Sequence, residues 1–403
     1  MTDRRPGSGP AFTALIPGVY LPSLIFEIGI GAMVPVLAGR AGQLGADLAT
    51  AAIVMSLLPV GRILADLPAG AIAARVGDRA AMIGASAVAM LGLAMLAVAP
   101  NLVVLGAGVL LLGATEAVYG LARQSYLTEV VPPLMRARAM STLGGVHRIG
   151  LFIGPFAGAA VAHLTGSTAA VFWLGVVTSV LAAVVVAVAT DPDPRHHDAE
   201  RPVGLLEVAR KHARLFATLG VAVLLVGAVR GARTAVVPLW AEHLGLDTAT
   251  TSIVFGIAGG IDMLLFYPAG KVMDVKGRLW VAVPSMLVMG VALVLLPLTG
   301  TIGPLVGVAM LLGFGNGIGS GVIMTLGADT APPDERAQFL GVWRLLADSG
   351  NAAGPLVVSA GAAIGSLAAG IWVTALISGA TAGALARWVP RWVGPPRARG
   401  VPR

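Results

Sequence analysis

Eleven charged residues sit inside long apolar stretches of this chain: Glu27, Arg62, Asp66, Glu116, Arg123, Arg148, Arg230, Arg233, Asp262, Arg344 and Asp348. Each costs at least ~2.5–3.5 kcal/mol at a bilayer centre unless it is paired or hydrated, so each is a candidate for a working site. Arg62 and Asp66 are one helical turn apart, as are Arg344 and Asp348, and such pairs can neutralise each other. Glu27 and Glu116 have no basic partner within a turn. Glu116 shares a helix face with Arg123, with Tyr119 between them. A carboxylate in a low-dielectric cavity, balanced by a nearby arginine, can take a proton from one side of a membrane and give it to the other. No nucleophile–base pairing or metal-ligand cluster is legible. His196-His197 beside Asp198 reads as solvated linker, and the absence of cysteine removes disulfides and thiolate metal sites. The glycine-alternating run Gly313 to Gly321 lies within an apolar stretch rather than at a strand-to-helix turn. It therefore reads as flexible or closely packed helix, not as a phosphate cradle.

The elements that must position these charges are membrane helices. Hydrophobic residues make up 57% of the 403 and charged residues 12%, and mean hydropathy is +0.87; soluble domains carry roughly 25% charged residues. Apolar stretches long enough to cross a bilayer as helices cover 12–38, 48–74, 80–99, 102–130, 139–163, 169–190, 215–241, 249–273, 279–299, 303–329, 338–364 and 367–389. The expectation is an all-α integral membrane protein with twelve spans. The first span, interrupted by Glu27 and longer than a signal-peptide core, should be retained. Net charge +7 does not indicate nucleic acid, because the basic residues occupy alternate loops. Arg4, Arg5, Arg75, Arg79, Arg136, Arg138, the run from Arg195 to Arg214, Lys271, Lys276, Arg278, Arg336 and the tail from Arg387 lie on one side. The other side holds Arg40, His163, Glu242 and His243. Lys/Arg excess marks cytoplasmic loops, which places both termini inside a cytoplasmic (plasma) membrane.

Pro68-Ala69-Gly70 recurs at Pro268-Ala269-Gly270, and the same offset relates Gly77 to Gly277, Arg136-Ala137 to Arg336-Ala337 and Gly154-Pro155 to Gly354-Pro355. One unit is used twice in the same direction, giving two parallel six-helix pseudo-repeats. We expect bundles at 1–190 and 215–392, a cytoplasmic linker at 191–214 and a tail at 393–403. The offset sets Arg62 against Asp262 and Glu116 against Asn316; aligning Val34-Pro35 with Val237-Pro238 sets Glu27 against Arg230. In a membrane chain such halves suggest a transporter with its substrate site between them.

The run from Gly270 through Lys271, Asp274, Lys276 and Gly277 to Arg278 resembles the signature loop between helices 2 and 3 of the major facilitator superfamily, repeated there between helices 8 and 9. The first copy here, with Gly70, Arg75, Gly77 and Arg79, has Ala74 where the family has aspartate. The resemblance implies that this loop latches the halves together on the cytoplasmic side, with Asp274 as the surviving acidic latch. It also implies that spans 1, 4, 7 and 10 line a cavity. Glu27, Glu116, Tyr119, Arg123, Arg230, Arg233 and Asn316 would then face it, while Arg148 would snorkel to the cytoplasmic surface. Gly150, Gly154, Pro155 and Gly158 in the fifth span are similar to a motif of proton-coupled drug exporters and could form a pivot between the halves. Ala159 departs from that motif, and the arginine usual near the start of span 4 is absent at Leu110. The function expected is proton-coupled efflux of small amphipathic molecules by alternating access, with Glu27 or Glu116 carrying the proton. Uptake or facilitated passage of a small organic anion is the alternative, and a receptor or enzyme a distant one. The expected partners are a small-molecule substrate and lipid, without nucleic acid, metal or cofactor, and the expected state is monomeric.

Overall fold

The computed structural model describes residues 15–131, 133–189 and 205–393. Twelve long helices run through them: α1 (Ile16–Gln43), α2 (Leu48–Val76), α3 (Asp78–Val98), α4 (Leu102–Val130), α5 (Pro133–Thr165), α6 (Thr168–Val188), α7 (Ala213–His243), α8 (Thr248–Lys276), α9 (Leu279–Leu298), α10 (Ile302–Thr330), α11 (Arg336–Ile364) and α12 (Leu367–Trp392). Eleven are long and apolar enough to span a bilayer, and α11, with Arg344 and Asp348 at mid-length, is the exception. Helices are the expected solution, because each satisfies its own backbone polar groups in lipid. Their ends are set by local chemistry. Asp47 accepts from the Thr50 amide at 2.7 Å and Asp247 from Thr250 at 2.9 Å, capping α2 and α8 at repeat-related positions. Gly77 and Gly277, at φ 83° and 95°, make the turns into α3 and α9 in a conformation that only glycine adopts cheaply. A short helix, Leu205–Lys211, precedes α7 and is tied to the start of α11 by Lys211 and Glu335 at 2.5 Å. Those hydrogen bonds, from Lys211 and then His212, hold the Glu335 carboxyl below its usual range. The His196-His197-Asp198 run and the tail beyond Val393 lie outside the described residues.

Packing repeats with the sequence. α1 lies on α5 and α2 on α4, while in the second half α7 lies on α11 and α8 on α10. The two halves meet along two seams, α5 with α8 and α2 with α11. The glycines of the exporter-like motif pack within a half, not between halves. A methyl group at Gly150 would fall 2.5 Å from Glu27 Cβ, and one at Gly154 2.6 Å from the Ala32 nitrogen, both on α1. Gly350 and Gly354 press α11 on α7 in the same way, against the Leu224 and Ala228 carbonyls. The motif's glycines thus bring α5 against α1, the helix that carries Glu27.

Four helices are irregular where the sequence reading had them continuous, among them α9, which closes in a 3-10 turn at Leu296–Leu298. α1 tightens to a 3-10 turn at Val34–Val36, around Pro35, and α7 opens with a π-turn at Phe216–Gly220. α10 breaks after Ile318, with Gly321 left-handed at φ 84° before Val322 restarts the helix. The glycine run thus divides its work. Gly313 packs against the Ala258 carbonyl and Gly317 against Asp262, while Gly319 to Gly321 interrupt the helix.

The halves are closed at the end opposite the signature loops. There Ser359 donates to the Ala49 carbonyl at 2.8 Å, the Thr168 and Thr248 hydroxyls lie 3.2 Å apart, and Glu242 sits against Gly39 and Gly42. Phe152 and Phe156 fill the seam against Gly260 and Gly256. Towards the basic end, positions where a side chain would begin at Gly70, Gly144, Gly145 and Gly270 meet nothing within 4 Å. Because Gly154 and Gly354 are closely overlaid and Gly144 is not, Gly154→Ala and Gly354→Ala should each destabilise by about 1–3 kcal/mol through overpacking. Gly144→Ala should hold or raise the melting temperature. Thermal unfolding in detergent of the three variants checks this, and equal effects at all three positions would contradict it.

Candidate functional site

A cavity of about 450 Å³ lies between the halves at mid-depth. Its apolar wall includes Phe26, Leu58, Leu151, Phe152, Phe255 and Met263. Of the residues singled out from sequence, Glu27, Arg62, Glu116, Tyr119, Arg123, Arg148, Arg233, Asp262, Asn316 and Arg344 line it. A wider depression of about 500 Å³ at the opposite end, bordered by Asp47, Glu242 and His243, is remote from these charges.

Three charge centres face the cavity. In the first, one oxygen of Glu27 on α1 accepts from Arg123 on α4 at 2.7 Å and lies 2.8 Å from Nδ1 of His147 on α5. The histidine contact is close but off the line of a hydrogen bond, since Nδ1 has no partner of good geometry. Glu27 is 5% exposed, so an oxygen shared by three helices is shut away from solvent. Phe26 stacks on Tyr119 with centroids 4.2 Å apart, and the Arg123 guanidinium carbon stands 5.8 Å from the Tyr119 ring. The approach of α5 that lets His147 reach Glu27 is the one Gly150 permits.

In the second centre Arg62 on α2 bonds Glu116 on α4. Gly61 and Gly113 make this possible, because methyl groups there would collide with the Leu110 and Leu58 carbonyls. Arg62 therefore does not neutralise Asp66 one turn away, as its spacing led us to expect. Asp66 instead meets Arg344 of α11 at 3.5 Å, across the seam, and Arg344 also stands 3.5 Å from Asp348.

The third centre surrounds Asp262 on α8. Asn316 on α10 donates to it at 2.6 Å, and Arg148 on α5 and Arg233 on α7 stand at 3.5 and 3.6 Å. Arg148 does not snorkel to the surface. It bonds the Ser320 hydroxyl at the break in α10 and lies 4.2 Å over the Phe266 ring, inside the other half. Arg230, expected on the cavity wall, is drawn behind it, donating to the Gly319 carbonyl that the same break frees.

The offset of the repeat organises these centres. Arg62 with Glu116 and Asp262 with Asn316 occupy equivalent stations and make equivalent contacts, one within each half. Arg148 and Asp348 are likewise equivalent in position and opposite in charge. Sequence reasoning did not draw that second correspondence, although the offset already in hand contained it. His147 was missed because its repeat mate is Ala347 and span 5 was not among those expected to line the cavity. Ser320 gave no signal beyond the glycines beside it.

The signature loops bind within their own halves. Arg79 donates to the Val186 and Ala187 carbonyls at the end of α6. Arg278 grips Asp329 with bonds of 2.7 and 3.2 Å. Asp274 is exposed and forms no ion pair among the described residues, so the expected latch is not engaged in this state.

Twelve helices in two repeated bundles about a central charged cavity define a membrane transporter architecture. The family model described as Major Facilitator Superfamily matches residues 19–355, and the chain belongs to that superfamily of secondary transporters. Members of this family are not enzymes. No curated protein sequence matches the chain. The fold is similar to that of a POT family transporter in complex with a thioalcohol-conjugated peptide, with 13% identity, a TM-score of 0.76 and coverage of 94% of this chain and 96% of that one. The nucleoside transporter NupG gives 13% identity, a TM-score of 0.75 and coverage of 93% and 99%. The human organic anion transporter MFSD10 (TETRAN) gives 15%, 0.69, and coverage of 93% and 100%.

Removing one member of a buried ion pair leaves the other uncompensated, at about 3–5 kcal/mol. Arg123→Gln should therefore lower the melting temperature sharply, and adding Glu27→Gln should restore much of it. A double-mutant cycle with additive losses would show that the two side chains do not depend on each other.

Proposed function

We propose that this transporter is a proton-coupled exporter of small amphipathic molecules, working by alternating access. The observation that carries this reading is the buried Glu27 oxygen that accepts from Arg123 and lies 2.8 Å from His147, which brings three cavity-lining helices to one carboxylate. A proton on Glu27 and an ion pair to Arg123 exclude each other. Protonation would free α4 and α5 from α1, and deprotonation would draw them back. Glu116, bonded to Arg62, is the second candidate proton carrier. Export is supported by the α5 glycine motif, which packs beside Glu27.

The asymmetry between the two ends of the bundle fits one half-cycle. With the basic end cytoplasmic, as Lys/Arg excess implies, the cavity is closed outside and approachable from inside, ready to load cargo for export. In the other half-cycle the basic end closes, and the exposed Asp274 would latch against the first half. The solved relatives are described with peptide, nucleoside and organic anion cargoes, so the fold alone does not select the substrate.

A thermal-stabilisation screen of the purified protein would supply a transported compound for proteoliposome assays. An imposed pH gradient should drive its accumulation in inside-out vesicles. Glu27→Gln should abolish gradient-driven movement while keeping exchange across the membrane at equal pH. If Glu27→Gln and Glu116→Gln both leave gradient-driven transport intact, the proton assignment is wrong.

A further inference from the structure

Charge is unevenly distributed around the cavity. Five arginines line it, Arg62, Arg123, Arg148, Arg233 and Arg344, against three carboxylates, Glu27, Glu116 and Asp262. Two of the arginines are committed to partners inside the first half, Arg123 to Glu27 and Arg62 to Glu116. The excess gathers on the opposite wall, where Arg148 and Arg233 share the single carboxylate of Asp262 and Arg230 stands just behind.

Neither sharing contact is a hydrogen bond. At 3.5 and 3.6 Å the guanidinium groups are held near Asp262 without spending their donors on it. Arg233 makes no hydrogen bond to any described residue, although its side chain is only 12% exposed. The Arg230 Nε and the Asp262 Oδ1 are buried without partners as well. A half-satisfied cluster of this kind, in low dielectric and with surplus positive charge, is suited to holding an anion. Guanidinium forks match carboxylate, sulfonate and phosphate geometry in two-point contacts. Beside the cluster the wall is apolar and aromatic, with Phe152, Phe255 and Met263.

We infer that this wall is the substrate subsite and that the cargo is a small amphipathic organic anion, its acidic group held by Arg233 and Arg148 and its apolar body against Phe152 and Phe255. The inference rests on the transport reading for its physiological meaning, but not for its test. Asp262 is the internal competitor. It stands close enough to both arginines to compete with the cargo for them.

The test uses two dyes on one xanthene scaffold, anionic fluorescein and cationic rhodamine 123, with binding to the full-length protein in nanodiscs read by fluorescence anisotropy. The cavity is large enough for a ligand of this class. Fluorescein should bind and rhodamine 123 should not. Arg233→Gln should weaken fluorescein by roughly tenfold or more, as loss of a charge-assisted two-point contact implies, and Arg233→Lys should weaken it less. Asp262→Asn should tighten it, an effect that a damaged fold would not produce. Rhodamine 123 binding in place of fluorescein, or fluorescein affinity indifferent to Arg233→Gln, would overturn the inference. Full displacement of fluorescein by millimolar chloride or inorganic phosphate would overturn the organic part of it. Fluorescein binding that depends on Arg233 without gradient-driven flux would leave the subsite standing and remove the proton-coupled transport reading alone.

Discussion

A charge buried at the middle of a membrane bundle must find its opposite on another helix, and this protein meets that constraint with one repeated set of stations. Position 62 on α2 faces position 116 on α4, and positions 262 and 316 face each other in the same way on α8 and α10. Position 148 on α5 reaches across one seam to 262, and position 348 occupies the matching place on the other seam. The first half fills its seam stations with Arg62 and Arg148, and the second half fills them with Asp262 and Asp348. At these stations one half is cationic and the other anionic, while the Asp66–Arg344 contact a turn away carries the opposite signs. Two bundles of the same descent are thereby made complementary rather than self-repelling.

The symmetry is broken by how each station is satisfied. Arg148 crosses its seam to Asp262 and Ser320. Arg62 is held by Glu116 inside its own half, and Asp348 is approached by Arg344 on its own helix. One seam is bridged at its repeat-related station and the other is bridged a turn away, by Asp66 and Arg344. The glycines decide which contacts are reachable. Gly61 and Gly113 bring α2 onto α4 closely enough for Arg62 to meet Glu116, and Gly150 brings α5 onto α1 closely enough for His147 to meet Glu27. Substitution at such a glycine therefore moves a charge contact as well as a helix.

The fold was legible because apolar length and a fixed repeat offset are carried by many residues at once, and no single misreading could hide them. Partner choice was less legible. A spacing of four joined Arg62 to Asp66 on paper, but the short approach between α2 and α4 offered Arg62 a carboxylate on a neighbouring helix. Arg230 was placed in the cavity by its helix, yet the break at Gly319 exposes a backbone carbonyl that captures it. Asp274, expected from its loop to be a latch, is exposed and forms no ion pair among the described residues. The offset itself held more than was taken from it, since Arg148 and Asp348 stand in register as plainly as Arg62 and Asp262.

The complementarity of the two halves is the central claim, and exchanging the charges of one seam contact tests it most directly. Arg148→Asp and Asp262→Arg, made singly, place like charges opposite each other and should each depress the melting temperature of the full-length protein. Made together they restore opposite charges across the seam, and the double variant should recover most of the loss. A double variant as unstable as the sum of the single ones would contradict the account, showing that the two halves are joined by packing and not by paired charge.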